Sequence, residues 1–297
     1  MKTRFVIAIL FLAGLLALCG IYAEASYAAT SFEITSVARP TSGVYDLSYA
    51  NGRLLGVKNG VIGEVSLGDG SWNTYGVSGR MATWTSRGMA FYDSQGCPNL
   101  RQGSTITKLS DTEFGTPIRS ATNPDGDITF GNVSTDFLMI NQETQPNEGI
   151  LPFNFIEGSW WITSAGYAPN GHLFVAGQNT ANPIQNGYRV CAITPGGSKY
   201  DTGLTYSEIA VGDGYLWGVA SDHSYLEAWK LGPDGIISNH RVHEGGYFNL
   251  YGADGSGALY SQGTLYWHAN AVPEPTGFMA LGTGLLSIFS IIKRRKR

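Results

Sequence analysis

Charge is scarce in this sequence: Asp, Glu, Lys and Arg together make up 14% of its 297 residues. Amphipathic surface helices carry Lys and Glu on their outer faces, so so little charge argues against a helical body. Basic residues are scarcer still once the ends are set aside. Seven of the 19 Lys and Arg lie at positions 2, 4 and 293–297, and two of the 23 Asp and Glu at 24 and 274. Residues 26–272 therefore hold 12 cations against 21 anions, a formal charge of −9. Phosphate neutralisation needs clustered Lys and Arg, which excludes nucleic acid as a partner of this body. Catalytic signatures are missing as well: there is no Gly-x-Ser-x-Gly elbow, phosphate loop or His-Glu-x-x-His. Their absence shifts the balance away from an enzyme, and neither cofactor nor metal is expected. Only three cysteines occur, Cys19, Cys97 and Cys191. That is too few for a disulfide framework.

Glycine is plentiful instead, with 40 residues, and 12 prolines and 12% aromatics accompany it. This mixture suits many short strands joined by tight turns, an all-β chain. Within residues 30–271 one unit recurs. Leu47-Ser-Tyr-Ala-Asn51-Gly52-Arg-Leu54-Leu-Gly56-Val57 aligns without gaps on Ile209-Ala-Val-Gly-Asp213-Gly214-Tyr-Leu216-Trp-Gly218-Val219. Further copies centre on Asp125-Gly126, Asn170-Gly171, Ser256-Gly257 and, in degenerate form, Ser94-Gln-Gly96. The anchors 51, 94, 125, 170, 213 and 256 are 43, 31, 45, 43 and 43 residues apart. Each copy is an apolar strand, an Asn-Gly or Asp-Gly turn and a second apolar strand, the strongest short-range hairpin signal. A third strand follows in most, as in Val61–Leu67, Tyr188–Ile193 and Tyr225–Leu231.

Repeats of about forty residues holding three or four strands are similar to β-propeller blades, none of which can bury its faces alone. Six anchors predict six blades, with Phe32–Ser36 as a strand that completes the last. The short 31-residue interval leaves five blades with a decorated loop, or a β-sandwich, as alternatives. No Trp-Asp or kelch signature places the repeat in a subfamily.

The two ends read as addresses. Lys2 and Arg4 precede an apolar run from Phe5 to Ile21, then small residues around Ala23-Glu24-Ala25 and Ala28, which predicts a secretory signal peptide over residues 1–25, cleaved after 25 or 28. Near the other end, Pro273-Glu274-Pro275 precedes an apolar stretch, Thr276–Ile292, and the basic cluster Lys293-Arg294-Arg295-Lys296-Arg297. Seventeen residues at about 1.5 Å each reach roughly 25 Å, a short transmembrane helix. Cations directly after it favour a cytoplasmic tail with the body outside.

These three parts, in order and paired with a signal peptide, resemble the PEP-CTERM sorting signal of Gram-negative bacteria that make extracellular polysaccharide. The resemblance covers residues 272–297. It implies recognition of Pro273-Glu274-Pro275 by an exosortase-type membrane enzyme, transient anchoring in the inner membrane, removal of the hydrophobic tail, and delivery to the cell surface or extracellular matrix. It also suggests exopolysaccharide or biofilm as the setting and polysaccharide as a partner.

Candidate chemistry in the body is thin. His240 and His243 with Glu244 are spaced for a metal only on a helix, and the surroundings read as strand or loop. Asp222-His223-Ser224 is a local string, and triad members rarely adjoin in sequence. Asp69, Asp125, Asp127, Asp213 and Asp234 sit at turns, where Asp serves the backbone conformation. Cys97 and Cys191 fall in different repeats and are expected as free thiols. Trp217 and Trp229 lie within predicted strands and are expected to pack. Trp160 and Trp161 adjoin a connection, so one of them should face outward as a platform for a sugar ring. The reading is an exported, non-enzymatic binding or scaffold module, with a channel enzyme or a purely structural protein as alternatives.

Overall fold

A computed structural model describes residues 31–131, 137–141, 149–152, 160–180, 187–232 and 235–272. The expected signal peptide, Asp234, and the tail with Pro273-Glu274-Pro275 and Lys293–Arg297 lie outside them. Strand β1 (Ser31–Val37) comes first. Then follow β2 (Val44–Ala50), β3 (Arg53–Lys58), β4 (Val61–Val65) and β5 (Trp72–Ser78); β6 (Arg80–Thr85), β7 (Gly88–Tyr92), β8 (Pro98–Gln102) and β9 (Thr105–Lys108); β10 (Ala121–Thr122), β11 (Ile128–Gly131), β12 (Phe137–Asn141) and β13 (Gly149–Pro152). The second half holds β14 (Trp160–Tyr167), β15 (Leu173–Asn179), β16 (Tyr188–Ile193) and β17 (Lys199–Asp201); β18 (Tyr206–Gly212), β19 (Tyr215–Ala220), β20 (Tyr225–Gly232) and β21 (Gly235–Glu244); and β22 (Phe248–Asp254), β23 (Gly257–Gln262) and β24 (Leu265–Val272).

These strands form six four-stranded sheets, each a meander of consecutive strands except the last, which runs β22-β23-β24-β1. The third is the reduced one, its first strand only two residues long. First strands touch in cyclic order: β2 meets β6, β6 meets β10, and so on through β14, β18 and β22, which returns to β2. Phe32–Ser36 indeed lies in a strand that completes the last sheet. Residues 266–272 are most of β24, the third strand from the ring centre in that sheet.

Burial follows from the stacking of sheets. Second strands are covered on both faces, so β11 and β19 are buried throughout and β3 over Leu54-Leu55-Gly56-Val57. Such strands read as continuous apolar runs, as sheets covered on both faces require. Fourth strands β9 and β17 are exposed along their length. The core is a series of wedges between neighbouring sheets. Leu55, Val57 and Ile62 pack on Ala82, Met89 and Phe91, while Phe174, Ala176 and Val190 pack on Tyr206, Ile209 and Leu216. Leu47, Tyr49 and Leu54 meet Leu259, which seals the first sheet to the last.

One sequence anchor falls elsewhere than expected. Asn51, Asp125, Asn170, Asp213 and Ser256 all occupy the first hairpin turn of their sheets, but Asp93-Ser94-Gln95-Gly96 joins β7 to β8, the second turn. The equivalent first turn is Ser86-Arg87, 35 residues after Asn51 and 39 before Asp125. There the Thr85 hydroxyl accepts from the Arg87 N–H at 3.2 Å and donates to the Gly88 carbonyl at 2.8 Å. A hydroxyl-stabilised turn thus stands in for Asn-Gly.

Candidate functional site

Where the first strands meet, they leave a cavity of about 580 Å³ along the ring axis. Every sheet contributes through its first strand and first turn, as the lining residues Tyr49, Trp84, Thr122, Tyr167, Val211 and Tyr251 illustrate. That volume lies within the range of about 300–1,000 Å³ typical of small-molecule sites. The hairpin-turn end carries Asn51, Asn123, Asp213 and Asp254.

Close backbone approach shapes this channel. A Cβ on Gly212 would stand 2.3 Å from the Asp254 nitrogen, and one on Gly166 would stand 2.9 Å from a Val211 methyl. Gly252, at a φ of +146°, would place a Cβ 2.0 Å from the Tyr49 carbonyl oxygen. Glycine alone lets β14, β18, β22 and β2 draw together here.

Arg119 is the cation of the cavity wall. It precedes β10 and is partly accessible. Among the described residues its guanidinium has neither a hydrogen bond nor an ion pair. Desolvation pushes its pKa below the usual arginine value, opposed by the Glu208 carboxylate. Glu208 is itself engaged, accepting from the Leu250 N–H at 2.6 Å. Close by in sequence, the Thr122 hydroxyl is buried without a hydrogen-bond partner.

Tyrosines supply the flat faces. Burial pushes the phenols of Tyr49 and Tyr167 up to about 12. Tyr167 accepts from the Thr129 hydroxyl at 2.9 Å, and Tyr251 shares a 2.9 Å hydrogen bond with Ser261 while stacking on Tyr266. At the turn end Tyr49 meets Ser256 at 2.8 Å and His268 Nε2 at 3.2 Å, while Asp254 Oδ1 accepts from the Ser256 hydroxyl at 2.6 Å. Burial depresses the His268 pKa, which keeps the ring neutral, although Asp254 and Asp213 pull the other way.

No protein-family model matches this chain, and no curated protein sequence does. Solved structures do. A streptogramin B lyase superposes with a TM-score of 0.52 at 13% identity, over 82% of this chain and 98% of its own. A protein provisionally described as a gluconolactonase gives 0.55 at 11%, over 82% and 93%. An auxiliary nutrient binding protein from Bacteroides ovatus gives 0.50 at 10%, over 82% and 78%. The chain is a β-propeller. At such identities the likeness concerns the fold alone.

Within this propeller the residues singled out from sequence disperse. Trp160 is buried beside Ile162 and Leu173, whereas Trp161, on the opposite side of β14, is 47% exposed. The expectation that one of the pair faces outward holds, but neither lines the channel. Trp217 is fully buried and Trp229 half-buried, both as packing. His240 sits edge-on to Tyr215 while His243 bonds the Tyr260 hydroxyl at 3.0 Å, so the two rings serve different neighbours. No cluster of metal-binding side chains occurs among the described residues. In Asp222-His223-Ser224, the serine donates to Asp222 at 2.6 Å while His223 Nδ1 lies 2.6 Å from the Phe248 carbonyl oxygen, an arrangement that closes a turn and forms no relay. Asp69 caps the Ser71 N–H, and Asp127 accepts from the Asn123 side chain. Cys97 and Cys191 are buried free thiols.

Arg119 and Thr122 escaped the sequence reading. They lie in the irregular stretch before the third repeat, where strand periodicity is weakest. The one available signal is a lone Arg among uncharged residues, Ile118-Arg119-Ser120-Ala121.

Proposed function

We propose that this protein is an exported ligand-binding propeller that holds a small polar molecule, most simply a saccharide unit, in its central channel. The observation that carries this is the cavity of about 580 Å³ walled by all six first strands and faced by Tyr49, Tyr167 and Tyr251. Tyrosine faces stack on sugar rings, and the Asn and Asp side chains at the turn end suit hydroxyl groups. The sorting signal read in Pro273-Glu274-Pro275, the apolar segment and Lys293–Arg297 supports delivery through the inner membrane to the surface or matrix. An exosortase-type enzyme and extracellular polysaccharide are the partners this reading names.

Equilibrium titration of the full chain in detergent with mono- and oligosaccharides from the matrix of the producing cell tests the binding. Saturable binding that is lost when the channel is blocked by Val211→Trp supports it, and absence of binding to every sugar rejects it. A catalytic reading draws on the fold it shares with a lyase. Turnover of the bound sugar in the same titration would establish that reading instead.

A further inference from the structure

The Arg119 guanidinium on the channel wall makes no hydrogen bond or ion pair among the described residues, and the Glu208 carboxylate that acts on it is already bonded to the Leu250 N–H. Removing an ion from water without a partner is expensive, and native proteins seldom retain one unless something pairs with it. Arg119 offers five N–H donors in a planar fork, none of them bonded within the described residues, and that fork matches the two oxygens of a carboxylate. The Thr122 hydroxyl, three residues along and lining the same cavity, is a second buried group without a partner. Both groups thus lack what a bound carboxylate would supply.

We infer that Arg119 anchors the carboxylate of a singly charged acidic sugar, a uronic acid, in the central channel, with Thr122 as an accessory donor. This deepens, and rests on, the channel-binding reading above. Charge decides between anions. One arginine faces the cavity together with Asp213 and Asp254, and Glu208 acts on it from nearby. A monoanion is balanced by the guanidinium, whereas the second charge of a phosphate meets only carboxylates. Polarity along the channel then orients the ligand: its carboxylate lies toward Arg119 and its hydroxyls toward Asn51, Asn123 and Asp213 at the turn end.

Calorimetric titration of the full chain with glucuronate, glucose, lactate and inorganic phosphate tests this, alongside Arg119→Lys, Arg119→Met and Thr122→Val. We expect glucuronate to bind at least tenfold more tightly than glucose, and phosphate more weakly than glucuronate. Arg119→Lys should weaken glucuronate about tenfold and Arg119→Met at least a hundredfold, with a much smaller loss for glucose in both. Thr122→Val should cost a few-fold. Ligand-free Arg119→Met should melt no lower than the parent protein, since a desolvated charge is removed, so a loss of binding cannot be ascribed to unfolding.

Equal affinity for glucuronate and glucose, or glucuronate binding that survives Arg119→Met, overturns the carboxylate anchor while leaving channel binding intact. Lactate binding as tightly as glucuronate retains the anchor but overturns the sugar. Phosphate binding more tightly than glucuronate overturns the monoanion argument. If no ligand binds at all, the channel-binding reading falls together with this one.

Discussion

The Asp254 carboxylate accepts a hydrogen bond from the backbone N–H of Gly52 at 2.5 Å, joining residues 202 positions apart in the chain. Asp254 ends the first strand of the last sheet, and Gly52 belongs to the first turn of the first sheet, so this contact closes the ring at its turn end. The same carboxylate accepts from the N–H and hydroxyl of Ser256 at 2.7 and 2.6 Å. Hydrogen bonds to a charged acceptor contribute roughly 1.5–3 kcal/mol when well formed, and less in partly wetted surroundings. Asp254→Ala should therefore lower stability by about 1–2 kcal/mol in urea titration. A change below a few tenths would show that closure depends on the apolar wedge of Leu47, Leu54 and Leu259 alone.

Gly252 makes a sharper test of ring tightness. Its φ of +146° and the Tyr49 carbonyl 2.0 Å from a would-be Cβ leave room for no side chain. Gly252→Ala should cost about 3 kcal/mol or more, combining backbone strain with separation of β22 from β2. Gly52→Ala, where no atom lies within 4 Å, should cost only the price of its positive φ, about 1 kcal/mol. Similar melting temperatures for the two variants would contradict the close approach.

The adjacent tryptophans should part company under substitution. Trp160→Ala empties a buried site beside Ile162 and Leu173 and should destabilise by about 3–5 kcal/mol. Trp161→Ala, at a 47% exposed position, should change stability by under about 0.5 kcal/mol. Only the second can test a sugar platform on that surface, because the double variant would lose binding through unfolding.

Two kinds of buried group limit the pH range. His268 has a lowered folded pKa, so below about 6.5 the unfolded chain takes up a proton that the folded protein resists, and stability falls with acidification. Tyr49 and Tyr167 are held up to about 12, so between about 10 and about 12 their phenols ionise in the unfolded chain first, and stability falls as pH rises. Melting temperature should peak between these limbs. His268→Gln should flatten the acid limb and Tyr167→Phe the alkaline one; unchanged limbs would mean that other groups govern them.

How much of this was legible beforehand depends on the signal each residue carries. Asn51-Gly52 and Asp213-Gly214 announce their turns because both positions take a left-handed conformation, Asn51 and Asp213 at φ of +53°, whereas in Asn170-Gly171 only the glycine does. Ser86-Arg87 announces nothing, since the Thr85 hydroxyl there does locally what Asn-Gly does elsewhere, and Gly96 carries the stronger turn signal. Strand β24 is only half legible in the sequence: its pairing with β23 is a local hairpin, whereas its other neighbour, β1, comes from the far end of the described residues. The channel was illegible for a related reason. Arg119 precedes the third sheet and Glu208 lies in the fifth, and only ring closure brings their charges within range of one another.

The strand β24 lies between β23 and β1 in its sheet, paired on both sides. A tether attached just beyond Val272 would therefore pull on a strand held by two ladders. Load along its axis would strain both sets of hydrogen bonds at once instead of peeling them off singly. If the proposed sorting leaves the protein linked to a surface beyond Val272, the mechanical hold would reside in the sheet that joins the first and last strands.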